Sequence, residues 1–433
     1  MAVYEEQNIS IEQGELVLVC GPTGGGKTSF LRRIKRSIPD IAGLVMQNTE
    51  QALVCERVYE ELAFALQNTE DDTAVIKRRI AETAGYFGIS KIMDREIATL
   101  SGGEKQIVSI ASVMAAAPKL LLMDEPLSML DPAMADKLTA LIIKLNRELG
   151  ITIVVAEHNV DFLFAAADKV ILVDGGIQLI ETPENAALIM RNGKYGNYLP
   201  SCSKYAGDNI ALTVADAAKC GLANAKTYSS KTVCGEVLVE VKKITFGYER
   251  FKPVLKDISL KLHRGEIVAL FGENGSGKTT LANIISGRYK PFSGKVKMEK
   301  TIDTAFLFQD ATCHFLEDVV DGKHVYDMSG GEKQKHALDI IMQDNSEILI
   351  LDEPTKALDA LEKNNLAQRI KEYAKQGKTV LIITHDIDFA AEIAERMMLI
   401  HNGEIVADDD TETFTDDNIF YTTTLKKIER MVQ

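Results

Sequence analysis

The feature that most constrains this 433-residue chain is an internal repeat, in which one series of short motifs occurs twice in the same order. A Gly-rich segment at 14–28 is matched at 265–279, and Ser-Gly-Gly-Glu-Lys-Gln at 101–106 is matched at 329–334. Asp-Glu-Pro follows at 124–126 and at 352–354, in both cases 23 residues after that serine. Self-similarity of this kind indicates a duplicated domain, and the chain is long enough for two or three domains.

Each half of the chain alternates strand-sized apolar runs with stretches of helical pattern. This alternation predicts an α/β fold in which helices cover a parallel sheet. Between the halves the chain becomes polar and rich in small residues, and 212–221 could form one short helix. We therefore predict a first domain over 1–190, a linker with a small appended element over 191–235, and a second domain over 236–433.

Both Gly-rich segments fit the pattern G-x-x-x-x-G-K-[ST], each between a predicted strand and a predicted helix. Glycines let backbone N–H groups close around phosphate oxygens, and the helix N-terminus adds partial positive charge. The lysines are expected to reach the β- and γ-phosphates of a nucleotide, and the threonines Thr28 and Thr279 to ligate Mg²⁺. The predicted nucleotide contacts are Gly21, Pro22, Thr23, Gly24, Gly25, Gly26, Lys27, Thr28 and Ser29 in the first half, and Gly272, Glu273, Asn274, Gly275, Ser276, Gly277, Lys278, Thr279 and Thr280 in the second.

An acidic pair follows an apolar strand in each half. Asp124 and Asp352 end these strands, where a carboxylate can hold Mg²⁺ or its water. Glu125 and Glu353 come next and are candidates for the general base that activates a water. The alternative is a pair of solvated acids, but the phosphate-binding pattern upstream in both halves favours the catalytic interpretation.

Composition and termini exclude several classes of protein. No apolar run approaches the roughly 18 residues that span a bilayer, and the acidic N-terminus does not resemble a secretory signal, so we expect a cytoplasmic protein. The six cysteines lack metal-ligand spacing and are expected to be reduced thiols. The net charge of −14 opposes attraction to nucleic acid or anionic lipid. A place at a membrane would therefore depend on contacts with another protein.

With these motifs the chain resembles the ATP-binding cassette (ABC) ATPases, because Ser-Gly-Gly-Glu-Lys-Gln is absent from most other phosphate-loop proteins. The resemblance implies ATP hydrolysis with Mg²⁺ and a head-to-tail pairing of the two cassettes within one chain, in which each ATP lies between the phosphate loop of one cassette and the signature of the other. The same residues also form a capping-box pattern, which alone would only begin a helix. The signature residues implied to contact ATP are Ser101, Gly102, Gly103, Ser329, Gly330 and Gly331.

Further roles follow from the same resemblance. Gln47 and Gln309 resemble the family's glutamines that contact Mg²⁺ and sense the membrane partner. His158 and His385 resemble the histidines that hold the γ-phosphate and the attacking water. Tyr248 resembles the aromatic residue that stacks on adenine. Since both halves keep a glutamate and a histidine, the resemblance implies two competent sites.

The halves differ in two intervals. Tyr248 lies 24 residues before Gly272, whereas the same interval before Gly21 falls ahead of Met1. We therefore expect the first half to lack the adenine-stacking residue, and Tyr4 is not expected to replace it. Gln47 and Ser101 are 54 residues apart, but Gln309 and Ser329 only 20. The second helical subdomain should be shortened, and the first half should carry most of the mechanical coupling to a membrane partner.

The segment 56–68, Glu-Arg-Val-Tyr-Glu-Glu-Leu-Ala-Phe-Ala-Leu-Gln-Asn, resembles part of the energy-coupling-factor ATPases for vitamins and transition metals, although an ordinary amphipathic helix would also fit. This resemblance implies a peripheral ATPase on the inner face of the cell membrane, bound to a membrane scaffold and a substrate-binding membrane protein. A double-cassette sugar importer ATPase and a soluble ABC protein acting on the ribosome are the alternatives. The acidic charge and the small linker favour transport over ribosome binding. The sequence does not indicate which molecule is transported.

Overall fold

The computed structural model describes residues 2–6, 9–67, 72–128, 130–221, 235–249, 251–299, 302–315, 319–320, 323–325, 328–343 and 345–432. The chain divides into two compact units, Met1–Pro200 and Ser201–Gln433. In the described part of the chain, no helix has the length and the apolar character required to cross a membrane.

The first unit is built on a six-stranded sheet. The strands of this unit are β1 Ala2–Glu6, β2 Ile9–Glu12, β3 Leu16–Cys20, β4 Ala42–Val45, β5 Leu120–Asp124, β6 Thr152–Ala156, β7 Lys169–Val173 and β8 Ile177–Glu181. The sheet has the order β4-β5-β6-β3-β7-β8 and is parallel except at β8. Strands β3, β5 and β6 are buried at every residue, which explains their continuous apolar sequences.

Helices cover this sheet, and a group of them forms a separate subdomain. They are α1 Lys27–Ser37, α2 Thr49–Ala52, α3 Val58–Gln67, α4 Thr73–Tyr86, α5 Gly102–Ala115, α6 Pro132–Leu149 and α7 Pro183–Arg191, with 3₁₀ turns at Ser90–Ile92, Ile97–Thr99, Val160–Phe162 and Gly196–Tyr198. Helices α3, α4 and α5 share an apolar cluster that includes Leu62, Ile80 and Val108. This is the helical subdomain predicted from the long interval between Gln47 and Ser101.

The second unit repeats the same sheet. Its strands are β9 Val237–Phe246, β10 Leu255–His263, β11 Ile267–Phe271, β12 Ser293–Met298, β13 Thr304–Leu307, β14 Val319–Val320, β15 Lys323–His324, β16 Ile348–Asp352, β17 Thr379–Ile383, β18 Arg396–His401 and β19 Glu404–Asp410. The order β13-β16-β17-β11-β18-β19 corresponds strand by strand to that of the first unit. The predicted tandem α/β fold is confirmed.

The helical subdomain of the second unit is short, as predicted. The helices of this unit are α8 Val214–Cys220, α9 Lys278–Ile285, α10 Gly330–Gln343, α11 Ala360–Lys375, α12 Ile387–Ile393, α13 Thr411–Asp417 and α14 Thr424–Val432, with 3₁₀ turns at Ser201–Tyr205 and Ala311–His314. Between Gln309 and Ser329, the described residues form one 3₁₀ turn and the two-residue strands β14 and β15. Residues 316–318, 321–322 and 326–327 of this interval lie outside the described residues.

The N-terminal hairpins of the two units differ in length. In the second unit, β9 and β10 pair from Val237 and His263 up to Phe246 and Leu255, and β12 adds a third strand. In the first unit, β1 and β2 already close at the pair Glu6 and Ile9. When the two phosphate loops are aligned, Ile9 corresponds to Leu260. The first unit therefore contains the base of the hairpin and lacks a counterpart of its end.

A small element formed by residues 201–220 belongs to the second unit. Its helix α8 lies within the predicted 212–221, and it packs against α14 around Cys202, Ala217 and Ile428. Residues 222–234, the rest of the predicted linker before 235, lie outside the described residues. The apolar partner of the element is thus the C-terminal helix, about 200 positions away in the sequence.

Candidate functional site

The first phosphate loop runs from the end of β3 to the start of α1. Gly26 precedes the helix with φ of 102°, a left-handed conformation that favours glycine. A Cβ at Gly21 would clash with the carbonyl oxygen of Val173. The Lys27 Nζ donates to the carbonyl oxygens of Gly21 and Pro22, each at 3.0 Å, and lies 3.3 Å from His158 Nδ1. The buried ammonium is therefore folded back over the loop that would surround a phosphate.

The second phosphate loop has the same construction. Gly277 precedes α9 with φ of 107°. The Lys278 Nζ donates to the carbonyl oxygens of Gly272 and Glu273 at 2.7 and 3.0 Å. Asn274 of this loop lies 3.3 Å from His385, through its Oδ1 and the histidine Nε2. The loop, its lysine and the histidine are thus brought together in each unit.

A threonine hydroxyl meets a buried aspartate beside each loop. Thr28 Oγ1 donates to Asp124 Oδ1 at 3.1 Å, and Thr279 Oγ1 donates to Asp352 Oδ2 at 2.6 Å. Burial raises the pKa of Asp124 to about 6, and the charge of Glu125 adds to the shift. Burial also raises the pKa of Asp352. Oxygen ligands of this kind fit Mg²⁺, whose charge would offset the cost of burying the carboxylate.

In the first unit, the glutamate of the acidic pair contacts both other predicted catalytic side chains. Gln47 Nε2 donates to Glu125 Oε2 at 2.5 Å, and His158 Nε2 lies 2.7 Å from Glu125 Oε1. Glu125 itself has φ of 48°, unusual for a residue with a side chain, directly after the end of β5. The predicted group of Gln47, Glu125 and His158 is therefore assembled around one carboxylate.

The corresponding group in the second unit is looser. His385 Nε2 lies 3.5 Å from Glu353 Oε1. Gln309 is exposed two residues after β13, and within the described residues it makes no hydrogen bond to Glu353. Burial raises the pKa of Glu353 to about 8, with the charge of Asp352 as the second cause. The structure therefore brings Glu353 and His385 close to each other but leaves Gln309 apart.

The two signature serines begin helices and are exposed. Ser101 and Glu104 form a capping box, with Ser101 N donating to Glu104 Oε2 at 2.8 Å and Glu104 N donating to Ser101 Oγ at 3.3 Å. Ser329 and Glu332 make the same two hydrogen bonds at the start of α10. Their contact with a nucleotide of the other cassette involves two separate units and stays a prediction.

The predicted adenine-stacking residue lies at the end of the second unit's hairpin. Tyr248 is 66% exposed, its hydroxyl lies 3.1 Å from Thr280 Oγ1, and its ring packs edge-on against Phe246 and Tyr289. In the first unit Tyr4 is only 4% exposed and its hydroxyl bonds Glu6. Tyr4 therefore offers no free ring face beside the first loop.

Sequence reasoning missed two buried side chains close to the acidic pairs. Glu157 is 1% exposed, and its Oε1 accepts a hydrogen bond from Leu127 N at 2.8 Å. In the second unit, Gln334 Nε2 donates to the carbonyl oxygens of Glu353 and Pro354, both at 3.3 Å. The sequence did contain a signal for Glu157, which is an acidic residue at the end of the apolar run Ile-Val-Val-Ala. The role of Gln334 has no signal in the sequence alone.

Comparison with known proteins identifies the family. The family model described as ABC transporter matches residues 4–128 and 255–311. One relative comes from Bacillus thuringiensis subsp. konkukian (strain 97-27) and is named as an ABC transporter ATP-binding protein. It is 31% identical in an alignment that covers 99% of this chain and 94% of the relative. A protein of Clostridium tetani (strain Massachusetts / E88) with the same kind of name is 36% identical, over 85% of this chain and 95% of the relative.

Solved structures resemble the fold. A chain in the structure titled as a model of ribosome-bound archaeal Pelota and ABCE1 has a TM-score of 0.68 and 21% identity, covering 94% of this chain and 77% of that one. Archaeal ribosome recycling factor aABCE1, in complex with the stalk protein aP1, has a TM-score of 0.61 and 21% identity, covering 92% and 86%. At this identity the similarity supports the tandem architecture alone.

Proposed function

The chain belongs to the ABC transporter family of ATP-hydrolysing proteins, and we propose that it is the tandem ATPase subunit of a membrane transporter with two nucleotide sites. The arrangement of Gln47, Glu125 and His158 beside Lys27 carries this proposal, because it places a candidate general base next to a phosphate-binding lysine. The second unit repeats the lysine, the glutamate and the histidine.

In the proposed reaction, ATP and water give ADP and phosphate. The oxygen of water attacks the γ-phosphorus as its proton moves to the carboxylate of Glu125 or Glu353, and the bond to the leaving ADP breaks. Lys27 and Lys278 would exchange their hydrogen bonds to loop carbonyls for bonds to phosphate oxygens. His158 and His385, each beside a glutamate, would keep the water and the γ-phosphate in line.

Magnesium is the expected cofactor. Thr28 with Asp124, and Thr279 with Asp352, would hold it, with Gln47 and Gln309 as the further ligands implied by the family resemblance. When bound, Mg²⁺ neutralises charge that develops on the β- and γ-phosphates. Since Gln309 is exposed and makes no bond to Glu353 within the described residues, we propose that it joins the second site only with nucleotide present.

The two cassettes are proposed to pair head to tail, so that each nucleotide lies between one phosphate loop and the other signature. The exposed helix starts at Ser101 and Ser329 support this, because each helix begins with two glycines and the N-terminus of a helix attracts anions. Carrying both cassettes on one chain raises the effective concentration of each for the other.

The proposed transporter is an energy-coupling-factor importer of a vitamin or a metal ion. The segment 56–68 that resembles this class contains α3, Val58–Gln67, and its last residue lies outside the described residues. Tyr59 and Phe64 on α3 are 40% and 49% exposed, and Val54 just before it is 65% exposed. These exposed side chains and the resemblance of the segment support our proposal that α3 binds a membrane scaffold that itself accompanies a substrate-binding protein. The chain would then be peripheral on the cytoplasmic face.

A matched pair of surface substitutions tests this function. Phe64→Ser should remove most of the chain from isolated membranes and from complexes with small integral membrane proteins, because it deletes apolar contact area in the proposed interface. Leu149→Ser is the control, since Leu149 ends α6 and is 53% exposed. Wild-type protein that sediments with ribosomes and leaves the membrane fraction empty would refute the transporter assignment.

A further inference from the structure

Glu157 links the end of β6 to the turn that follows the first acidic pair. Its backbone N donates to Val19 O at 3.0 Å, which fixes it against β3. Its side chain reaches in the other direction and accepts the Leu127 N–H at 2.8 Å. Leu127 is only two residues beyond Glu125, and His158 is the next residue after Glu157. One side chain thus joins the two segments that carry the first catalytic glutamate and histidine.

A carboxyl group at this position is costly. Glu157 is 1% exposed, and burial followed by the nearby charge of Glu125 raises its pKa well above the usual range. A buried polar group is retained without loss only where it is hydrogen-bonded, and apolar or smaller residues would otherwise be preferred. Thr384 occupies the corresponding position of the second unit and is fully buried, so the fold does not require a carboxyl there.

The second unit holds its catalytic turn in another way. The position of Leu127 is taken by Thr355, whose hydroxyl lies 3.5 Å from that of Thr384. The turn is contacted from the signature helix α10 instead, where Gln334 donates to the carbonyl oxygens of Glu353 and Pro354. Gln106 is the corresponding residue of the first unit, and its side-chain nitrogen is buried with no hydrogen-bond partner in the part of the chain that the structure describes.

The glutamate and histidine are closer where the carboxyl anchor is present. The histidine Nε2 lies 2.7 Å from the carboxylate of Glu125 in the first unit and 3.5 Å from that of Glu353 in the second, where the His385 backbone N also donates to Glu353 Oε2 at 3.4 Å. We propose that Glu157 is a positioning residue of the first site, which acts through the Leu127 N–H and the adjoining peptide to keep Glu125 and His158 in contact. The inference rests on the catalytic roles proposed for those two residues.

The test isolates the first site with Glu353→Gln, which disables the second base. In this background Glu157→Leu should lower the kcat for ATP at least tenfold and change KM less than threefold, because binding groups are retained and only the base is displaced. In the same background, Glu157→Gln should keep kcat within threefold of that of Glu353→Gln alone, since the side-chain carbonyl oxygen of glutamine can still accept a hydrogen bond from the Leu127 N–H. Glu148→Gln, a change of an exposed glutamate on α6, is the matched control.

The readouts separate positioning from a structural role. Leucine at 157 removes a costly buried carboxyl but also leaves the Leu127 N–H without its acceptor, so these two effects oppose each other and the thermal midpoint should stay within roughly a few degrees of that of Glu353→Gln alone while kcat falls at least tenfold. The proposal is overturned if Glu157→Leu keeps kcat within twofold, or if Glu157→Gln is as slow as Glu157→Leu. Hydrolysis that survives in Glu125→Gln with Glu353→Gln would instead refute the roles assigned to the glutamates, independently of Glu157.

Discussion

At the scale of single residues, the two glutamates that we propose as general bases share a backbone conformation and differ in surroundings. Glu125 and Glu353 have φ of 48° and 51°, in a region that residues with a side chain rarely occupy. Such strain is maintained where the surrounding structure over-determines it, and it concentrates at functional sites. Glu125 contacts Gln47 and His158, whereas Glu353 lies beside Asp352, with a pKa that is raised by desolvation and by the charge of Asp352. The same strained turn thus holds two carboxyls that have different hydrogen-bond partners.

This difference predicts a pH-dependent gain in stability from Glu353→Gln in protein free of nucleotide and Mg²⁺. The pKa of Glu353 is raised in the folded state to about 8 from an ordinary value of 4.5. Ionising it therefore costs folding free energy that is absent below about pH 4.5, grows as the pH rises and is constant above about pH 8. Removing the carboxyl should raise the thermal midpoint at pH 8.5 by at least roughly 5 °C, since a pKa shift of this size corresponds to a penalty of about 5 kcal/mol at most.

Scanning calorimetry at pH 5 and pH 8.5, in the presence of a chelator, measures this gain. The comparison variant is Glu125→Gln, which breaks the short contacts with Gln47 and His158 and is expected to give no stabilisation at either pH. A midpoint for Glu353→Gln that is raised equally at both pH values, or lowered at pH 8.5, would contradict a burial penalty at Glu353.

At the scale of elements, the N-terminal hairpins set the largest difference around the nucleotide sites. The long hairpin of the second unit carries Tyr248 to the loop, where Phe246 and Tyr289 support its ring. The hairpin of the first unit closes at Glu6 and Ile9, and Arg33 of α1 pairs with Glu6 there. Among the described residues of the first unit, no exposed aromatic ring lies on its hairpin.

The hairpins predict that Tyr248→Ala affects only one of the two sites. Loss of a stacking aromatic costs about 1–3 kcal/mol per base, or roughly tenfold in apparent affinity. In the Glu125→Gln background, where the second base alone is active, the KM for ATP should rise about tenfold. In the Glu353→Gln background it should change less than twofold.

The measurement is steady-state hydrolysis with ATP and with GTP. The first site should show similar KM values for ATP and GTP, since we expect no aromatic residue of the first unit to stack on the nucleobase. Phe251→Ala is the control, because Phe251 is 93% exposed near the same hairpin end and makes no ring contact with Tyr248 in the described structure. An equal rise in KM in both backgrounds would place Tyr248 outside an individual site.

Elements that recur in the sequence were predictable, and contacts between distant elements were not. The two phosphate loops, the acidic pairs and the shortened second subdomain follow from motif order and spacing, because each is local in sequence. The strand order of the two sheets was not predicted, because the alternation of strands and helices indicates a parallel sheet and leaves the order of its strands open. In contrast, the packing of Cys202 and Ala217 on Ile428 joins segments that no motif connects.

Side-chain partners near the acidic pairs show the same limit. The sequence places Gln47 and Gln309 at equivalent positions, yet only Gln47 hydrogen-bonds the neighbouring glutamate within the described residues. The difference depends on the chain that follows each residue: helices α2 to α5 after Gln47, and a 3₁₀ turn after Gln309. Likewise, Glu157 and Gln334 act on backbone groups, whose positions depend on the folded sheet and not on residue identity.

At the scale of the whole molecule, the central expectation is that each site is shared between the cassettes. Both units keep the complete set of phosphate loop, aspartate, glutamate and histidine, and both present an exposed capping box. The Ser–Glu hydrogen bonds of each capping box lie within the first turn of its own helix. If a signature contacts the nucleotide of its own unit, a substitution in that signature should slow hydrolysis at that unit's site. If it contacts the nucleotide of the other unit, the substitution should slow hydrolysis at the other site.

Substituting each signature serine in a background with one active base distinguishes these cases. In Glu353→Gln protein, where the first site is expected to hydrolyse ATP, Ser329→Arg should lower kcat by about 100-fold and Ser101→Arg by less than fivefold, since in the proposed head-to-tail pairing only the helix start of the second unit would contact that nucleotide. In Glu125→Gln protein the two effects should exchange. The reverse assignment in both backgrounds would mean that each signature serves its own cassette, and equal losses in both would exclude two separate composite sites. Because the four variants share one chain and differ by single side chains, the pattern depends on which signature meets which phosphate loop and not on overall stability.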